Sequence, residues 1–425
     1  MKAPQELKDL TREELISIIL DLQRRLLAYE NAHTPPSRNN RHYPKQEKSG
    51  NHVGAQKGHE GATREVPEPN RFKELKLDKC PDCGKRLGRP KSIHKKIIED
   101  IPEPQPLNIT QFSIPHYFCS HCNKIVIPRY SELPDEGRFG CNLQAEIALM
   151  KYEDRLPHRK IADTLNRRYD LQLTPATVLD ITRRTADKLQ GAYEQIKQEV
   201  KESMQANADE TGIKVQGKNW WAWVFATLTS ILFIIKPSRG QKTIKEALGI
   251  DYKGILTCDG WTSYPKCVKK LQRCWAHLLR EAKWLAEKHE GQSRLLYNAL
   301  CRMFSRIKKI AADAAEEVKT RTYNLCIMEM TSWIKTCRAY AELRKFAYKI
   351  ENGLEHWFTC VLHPEIEPTN NKAERALREI VVQRKISSLW NEKGVMIKEI
   401  IMSVLATWRL RGLNTFSMLR QTLSS

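Results

Sequence analysis

The sequence predicts a multidomain α/β protein, and three observations carry that reading. At 425 residues the chain is too long for one ordinary core, so two to four domains are expected of it. Two Cys-x2-Cys pairs and a helical stretch come first, and a run of strand-like segments begins at Ser203. Those strands enclose one short helix and lead into a long helical tail, the order of a mixed sheet covered by helices.

The first segment, 1–32, sets Leu7, Leu10, Leu15, Ile18, Leu22 and Leu26 at helical spacing, and Thr11 with Glu14 has capping-box spacing. It reads as an amphipathic helix, either a short dimerising coiled coil or a docking helix. Residues 33–70 turn polar and basic, dense in Pro, Gly and Asn. Such a composition cannot fill a core and reads as a flexible linker.

Residues 71–130 contain Cys80-x2-Cys83 and Cys119-x2-Cys122. Each pair has the knuckle spacing with which two thiolates grip a tetrahedral Zn²⁺, so the four cysteines are expected to form a zinc-binding module with one structural ion. The segments 92–99 and 111–119 between the pairs read as strands. His94, His116 and His121 lie nearby but are outcompeted as ligands by the four thiolates. The other eight of the twelve cysteines are dispersed and read as core residues.

Residues 131–200 read as helical. Thr174 before Pro175 is a strong helix start, an N-cap hydroxyl followed by proline at the first helical position. Two short helices around a tight turn, with Arg183 and Arg184 on the second, give a helix-turn-helix-like DNA-binding region. A plain helical hairpin is the alternative.

The last region, 201–425, carries the acids. Asp209, in AsnAlaAspGluThrGly, and Asp259, in ThrCysAspGlyTrpThrSerTyr, each end a strand-like run, and Glu374 sits in the helix-like run ThrAsnAsnLysAlaGluArgAlaLeuArg. Two strand carboxylates and a helix carboxylate are what a two-metal phosphoryl-transfer site needs, since two divalent ions roughly 3.5–4 Å apart require hard oxygen ligands aimed at one spot. The order of strand, hairpin, short helix and strand is that of an RNase H-like domain, in which the first and fourth strands are adjacent. That adjacency would join Asp209 to Asp259. Each acid has a plainer reading: Glu210 is the rival ligand on the opposite strand face, Asp259 before a glycine begins a turn, and Glu374 pairs with Arg378 one helical turn on. Asn370 or Asn371 reads as that helix's cap. The span of about 285–360 reads as a helical insertion for DNA or a partner subunit, and a final helix with Trp408 closes the domain.

These motifs resemble those of the insertion-sequence 66 family of transposases. The match includes AlaAspGluThrGly, ProSerArgGly at 237–240, CysAspGlyTrpThrSerTyr, ArgCysTrpAlaHisLeuLeuArgGlu at 273–281, and the Glu374 run with Arg384 and Lys385. The linker and the paired cysteines also match, so the resemblance covers nearly the whole chain. It implies a DDE site on an RNase H-like fold, with Asp209, Asp259 and Glu374 as the catalytic triad holding two Mg²⁺ (or Mn²⁺) per site. Cys274 and His277 match a Cys/Asp-x2-His signature that follows the second aspartate, and His277 is otherwise a packed core histidine. Arg375, Arg378, Arg384 and Lys385 are expected phosphate contacts, or else the helix's solvated face.

The bulk numbers fit that partner. With 71 Lys plus Arg against 50 Asp plus Glu the net charge is +21, which suits double-stranded DNA at the element ends and the target. No apolar run approaches the roughly 20 residues that span a bilayer, and the expected location is the cytoplasm, nucleoid-associated on DNA. The resemblance implies a homodimer or larger assembly, with accessory element-encoded proteins as candidate partners. Three functions are weighed: a transposase, a metal-dependent nuclease or domesticated relative that no longer joins strands, and a non-enzymatic DNA-binding regulator.

Overall fold

A computed structural model describes residues 67–103, 106–128, 130, 133–134, 136–289 and 291–424, together with Thr11, Ile16, Ile19 and Leu20. Most of the expected amphipathic helix over 1–32 and most of the linker lie outside the described residues. The chain divides into two units, residues 35–108 and the remainder, Met1–Thr34 with Ile109–Ser425.

In the first unit the chain folds tightly about Cys80. The Gly84 N–H donates to the Cys80 carbonyl and the Cys80 N–H to the Lys85 carbonyl, both at 2.9 Å. Gly84 takes φ +72°, a left-handed turn open to glycine without strain. The expected strand at 92–99 does not form. Ile93 and Ile98 are exposed, and the segment has no ladder partner among the described residues.

The second unit opens with a short antiparallel hairpin, β1 (Tyr117–Cys119) and β2 (Lys124–Val126), whose turn carries Cys119 and Cys122. Of the expected strand 111–119, three residues pair. Three helices follow: α1 (Cys141–Tyr152), α2 (His158–Tyr169) and α3 (Pro175–Glu202). Thr174 caps α3 through its hydroxyl to the Thr177 N–H, with Pro175 at the first position. The second helix of the expected pair is not short, however. It runs for 28 residues. Val178 and Ile181 pack with Ile147, Ile161 and Leu165 in a small helical core, while Leu189, Tyr193, Ile196 and Val200 join the core of the sheet. An apolar stripe that continues at helical spacing gives the helix no reason to stop.

The sheet has five strands: β3 (Gln205–Val215), β4 (Lys218–Ala226), β5 (Ile231–Lys236), β6 (Ile255–Cys258) and β7 (Lys270–Arg273), in the order β5-β4-β3-β6-β7. β4 is antiparallel to β3 and β5, while β6 is parallel to β3 and β7. Helix α4 (Gln241–Leu248) makes the crossover from β5 to β6. The first and fourth strands of the sheet are thus neighbours, as the sequence order predicts.

Helices α5 (Trp275–Lys288), α6 (Gln292–Ile307), α7 (Glu316–Arg338), α8 (Ala341–Glu351) and α9 (Thr359–Leu362) share a separate core. Trp275 lies at its centre against Phe304, Trp357 and Phe358. The chain then returns to the sheet as α10 (Asn371–Ile386), α11 (Glu392–Leu410) and α12 (Thr415–Ser424). Helix α11 seals the outer edge of β5. The N–H groups of Ile231 and Phe233 donate to Thr407 Oγ1 (3.0 Å) and Ser403 Oγ (2.9 Å), and that of Ile235 to Glu399 Oε1. Four residues of helix rise about 6 Å and two of strand about 6.8 Å, so one helical stripe serves alternate strand residues. An unpaired edge that would otherwise template aggregation is covered.

Candidate active site

The pairing of β3 with β6 fixes the two aspartates. Gln205 faces Ile255, Ala206 faces Leu256 and Asn207 faces Thr257, a constant offset of 50. Asp209 and Asp259 each lie two residues beyond the last of these pairs, and the charge of Asp259 acts on Asp209. Asp209 does not end its strand, as the sequence reading had it. It lies mid-way along β3, just past the last pair with β6, while β3 continues beside β4 to Val215. The carboxylates therefore stand where two parallel strands part.

Side chains alternate across β3. Asn207, Asp209 and Thr211 share the face that α10 covers, because the Asn207 amide donates to Asn370 Oδ1 at 3.1 Å and Arg384 donates to Thr211 Oγ1 at 2.7 Å. Glu210 points the other way. Its carboxylate accepts from Arg239 Nε (2.8 Å) and from the Tyr264 hydroxyl (2.5 Å). The rival reading of Glu210 thus meets a residue already engaged on the opposite face.

Helix α10 carries Glu374 in its first turn, near enough for its charge to act on Asp209. Asn370 precedes that helix, but its side chain does not cap it. It is fully buried and donates to the Ala208 carbonyl at 2.8 Å, while its own N–H donates to Cys274 Sγ at 3.1 Å. One asparagine thus pins the start of α10 to β3 and to the start of α5. Further along, Glu379 pairs bidentately with Arg155 (2.9 and 3.0 Å), and the Gln383 amide donates to the Tyr152 carbonyl. Glu374 faces His277, with Oε1 3.4 Å from Nδ1, rather than Arg378.

The electrostatics of the cluster are unbalanced. Burial pushes the Asp209 carboxyl up to about 8, and the charges of Glu210, Asp259 and Glu374 add to the shift. Burial also raises Glu210, with Asp259 contributing, against the pull of Tyr264 and Arg239. Burial and the neighbouring carboxylates thus both disfavour the charged form of Asp209.

A second layer, not found by reading the residues one at a time, ties the aspartates together. Asp209 Oδ1 accepts from the Glu210 N–H, and Asp259 Oδ1 accepts from the Trp261 N–H, both at 2.9 Å. The Arg239 guanidinium lies 3.7 Å from the Trp261 ring centroid and 4.6 Å from that of Trp221 while it pairs with Glu210. The one signal in the sequence was the motif ProSerArgGly.

The other expected site residues are scattered. Arg183 is held by Asp180 and Asp187 and lies near Glu136, and Arg184 pairs with Asp180 at 3.2 Å. Arg384 is tied to Thr211 and the Gly212 carbonyl. Arg375, Arg378 and Lys385 are exposed. In each cysteine pair, backbone N–H groups aim at the leading thiol and pull it down: those of Cys83 and Asp82 at Cys80, and those of Cys122 and His121 at Cys119. None of the twelve cysteines is in a disulfide. Among the described residues no helix is long and apolar enough to cross a membrane.

A mixed five-stranded sheet covered by helices, with acids just past the last β3–β6 pairs, thus lies within a strongly basic chain. Residues 136–396 match the family model described as Transposase IS66 family, and the chain belongs to that family. The matched span takes in Asp209, Asp259 and Glu374 and leaves the two cysteine pairs outside. No curated protein matches the chain.

Proposed function

We propose that this transposase cuts the ends of its mobile element and joins the resulting 3′-OH ends to target DNA at a site made by Asp209, Asp259 and Glu374. The observation that supports the reading is that Asp209 and Asp259 follow the last pairs of the adjacent strands β3 and β6, where the charges of Asp259 and of Glu374, in the first turn of α10, both act on Asp209. The strand order, with its antiparallel β3-β4-β5 and parallel β6 and β7, supports an RNase H-like catalytic domain.

Three carboxylates are the donor chemistry of hard divalent cations of the Mg²⁺ or Mn²⁺ class, although among the described residues the ligand atoms gathered within 4.8 Å of one another join Glu374 to Cys274 and His277. The lift of Asp209 to about 8 marks a site short of positive charge. When bound, such ions activate the attacking oxygen and neutralise charge on the scissile phosphate. The protein's own contribution is rigidity. Asn370 holds Glu374 to β3, and the Glu210–Arg239–Trp261 chain fixes both aspartates. Exposed Arg375, Arg378 and Lys385 are assigned to DNA phosphates, in preference to Arg183, Arg184 and Arg384, whose guanidiniums have protein partners. The two cysteine pairs are read as zinc knuckles, and the working form as a dimer or larger assembly.

The test is cleavage and joining of the element's own end DNA in Mg²⁺ or Mn²⁺, with Asp259→Asn beside the wild type. Loss of both products with DNA binding retained is the expected outcome. Equal activity in the variant refutes the site, and cleavage without joined product in the wild type reduces the protein to a nuclease.

A further inference from the structure

Beside the carboxylates lies a second group of donors with different chemistry. Cys274 immediately precedes α5, His277 is in that helix's first turn, and Glu374 approaches from the first turn of α10. The candidate donor atoms of the three all lie within 4.8 Å of one another. Their spacing matters because a tetrahedral centre with arms of about 2.0–2.1 Å has edges of about 3.3–3.4 Å. His277 Nδ1 and Glu374 Oε1 already stand at that edge, 3.4 Å apart.

The scaffold under these side chains is fixed by the protein itself. The Cys274 N–H donates to the Cys258 carbonyl, and the Trp275 N–H to the Pro368 carbonyl, both at 2.9 Å. The Asn370 N–H donates to Cys274 Sγ at 3.1 Å. Two helix starts are thereby locked face to face with a sulfur, a nitrogen and an oxygen between them. Glu374 Oε1 is buried and receives no hydrogen bond among the described residues. The side chains of His277 and Glu374 are 21% and 29% exposed, so water reaches the edge of the group and can fill a fourth position.

We propose that Cys274, His277 and Glu374 bind a borderline-soft transition-metal ion of the Zn²⁺ class. One thiolate, one imidazole and one carboxylate select Zn²⁺ or Co²⁺ over Mg²⁺, whereas the all-oxygen pair Asp209 and Asp259 selects the hard ions. Binding releases the Cys274 thiol proton to solvent as the metal–sulfur bond forms. The two sites share Glu374. Resting on its assignment to catalysis above, the consequence is competition: an ion held by Cys274 and His277 draws Glu374 away from the aspartates, and zinc opposes magnesium-dependent cleavage.

Co²⁺ is the probe, titrated into the full chain and followed by its thiolate-to-cobalt absorption and by the number of ions bound. Cys274→Ser keeps an acceptor for the Asn370 N–H and so preserves packing, and His277→Ala is the second variant because its side chain is partly exposed. Both are expected to bind one ion fewer per chain than wild type, with Cys274→Ser also losing part of the sulfur band. Asp209→Asn is expected to keep the ion and the band. Identical stoichiometry and spectra in wild type, Cys274→Ser and His277→Ala overturn the proposal. Asp209→Asn separates the two readings. If it abolishes cleavage while the cobalt data do not move with Cys274 or His277, the transition-metal site fails and the catalytic assignment stands. If it leaves cleavage intact while those variants lose their ion, the reverse holds.

Discussion

Arg239 touches the side chains of both residues whose backbone N–H groups hold the two aspartates. Its guanidinium pairs with Glu210, whose N–H holds Asp209, and lies on Trp261, whose N–H holds Asp259. Only a planar cation can stack on an indole and fork to a carboxylate at once, so lysine is not an equivalent here. With the aspartates as the metal ligands of the proposed site, Arg239→Lys is expected to lower cleavage by about 10–100-fold, the usual cost of losing a residue that orients such ligands. The loss should be partly recovered at high Mn²⁺, because the carboxylates remain and are only misaligned. A Mn²⁺ titration of cleavage reads this directly. An unchanged rate and midpoint would show that Arg239 merely fills space. Asn370 acts in the same layer, and the sequence pointed to it for the wrong reason. Its position before a helix reads as a cap, yet its amide is spent on the Ala208 carbonyl. Local spacing reports helix starts well, but it cannot report a strand 162 residues away.

At the scale of elements, α11 shows what a pattern can hide. Its face toward β5 repeats every fourth residue, Glu399, Ser403 and Thr407, within a helix whose other residues are largely apolar. The helix was legible, whereas its service to the strand edge was not, because polar residues at that spacing read equally well as solvent-facing. Burial lifts the Glu399 carboxyl to about 7. A carboxyl raised in the folded state binds more protons folded than unfolded between about 4.5 and 7. Its contribution to stability is therefore full below that window and is lost as pH rises through it. The loss is on the order of 3–4 kcal/mol. Lys398 next to it is shifted the opposite way, its ammonium lowered by burial to about 7. Its penalty is present at low pH and disappears as pH rises from about 7 towards 10.5. The adjacent pair thus contributes a stability minimum near neutrality. Glu399→Gln is expected to flatten the acid limb and Lys398→Met the alkaline limb, each measured as the urea midpoint against pH. Parallel curves for wild type and variant would remove the cause.

Across the whole molecule, the order of strands was legible because alternation and a lone short helix between strands constrain the topology. The two separate cores and the 28-residue reach of α3 were not, since they depend on which apolar stripes meet. Charge has the same character. A net +21 suits a polyanionic partner but does not say which cations would meet it. The structure sorts them by partner. Arg183 is surrounded by Asp180, Asp187 and Glu136, whereas Arg375 and Arg378 are exposed on the helix that carries Glu374. An arginine already neutralised by protein acids releases few counterions on meeting a phosphate, while an exposed one releases nearly a full equivalent. The double variant Arg375→Ala and Arg378→Ala is therefore expected to weaken binding to end DNA and to reduce the slope of log K against log salt by about two. Arg183→Ala is expected to leave that slope nearly unchanged. Binding isotherms over a range of salt concentrations decide between them. A larger change in slope at Arg183 would move the DNA path from α10 to the turn between α2 and α3, and with it the helix-turn-helix reading of that region.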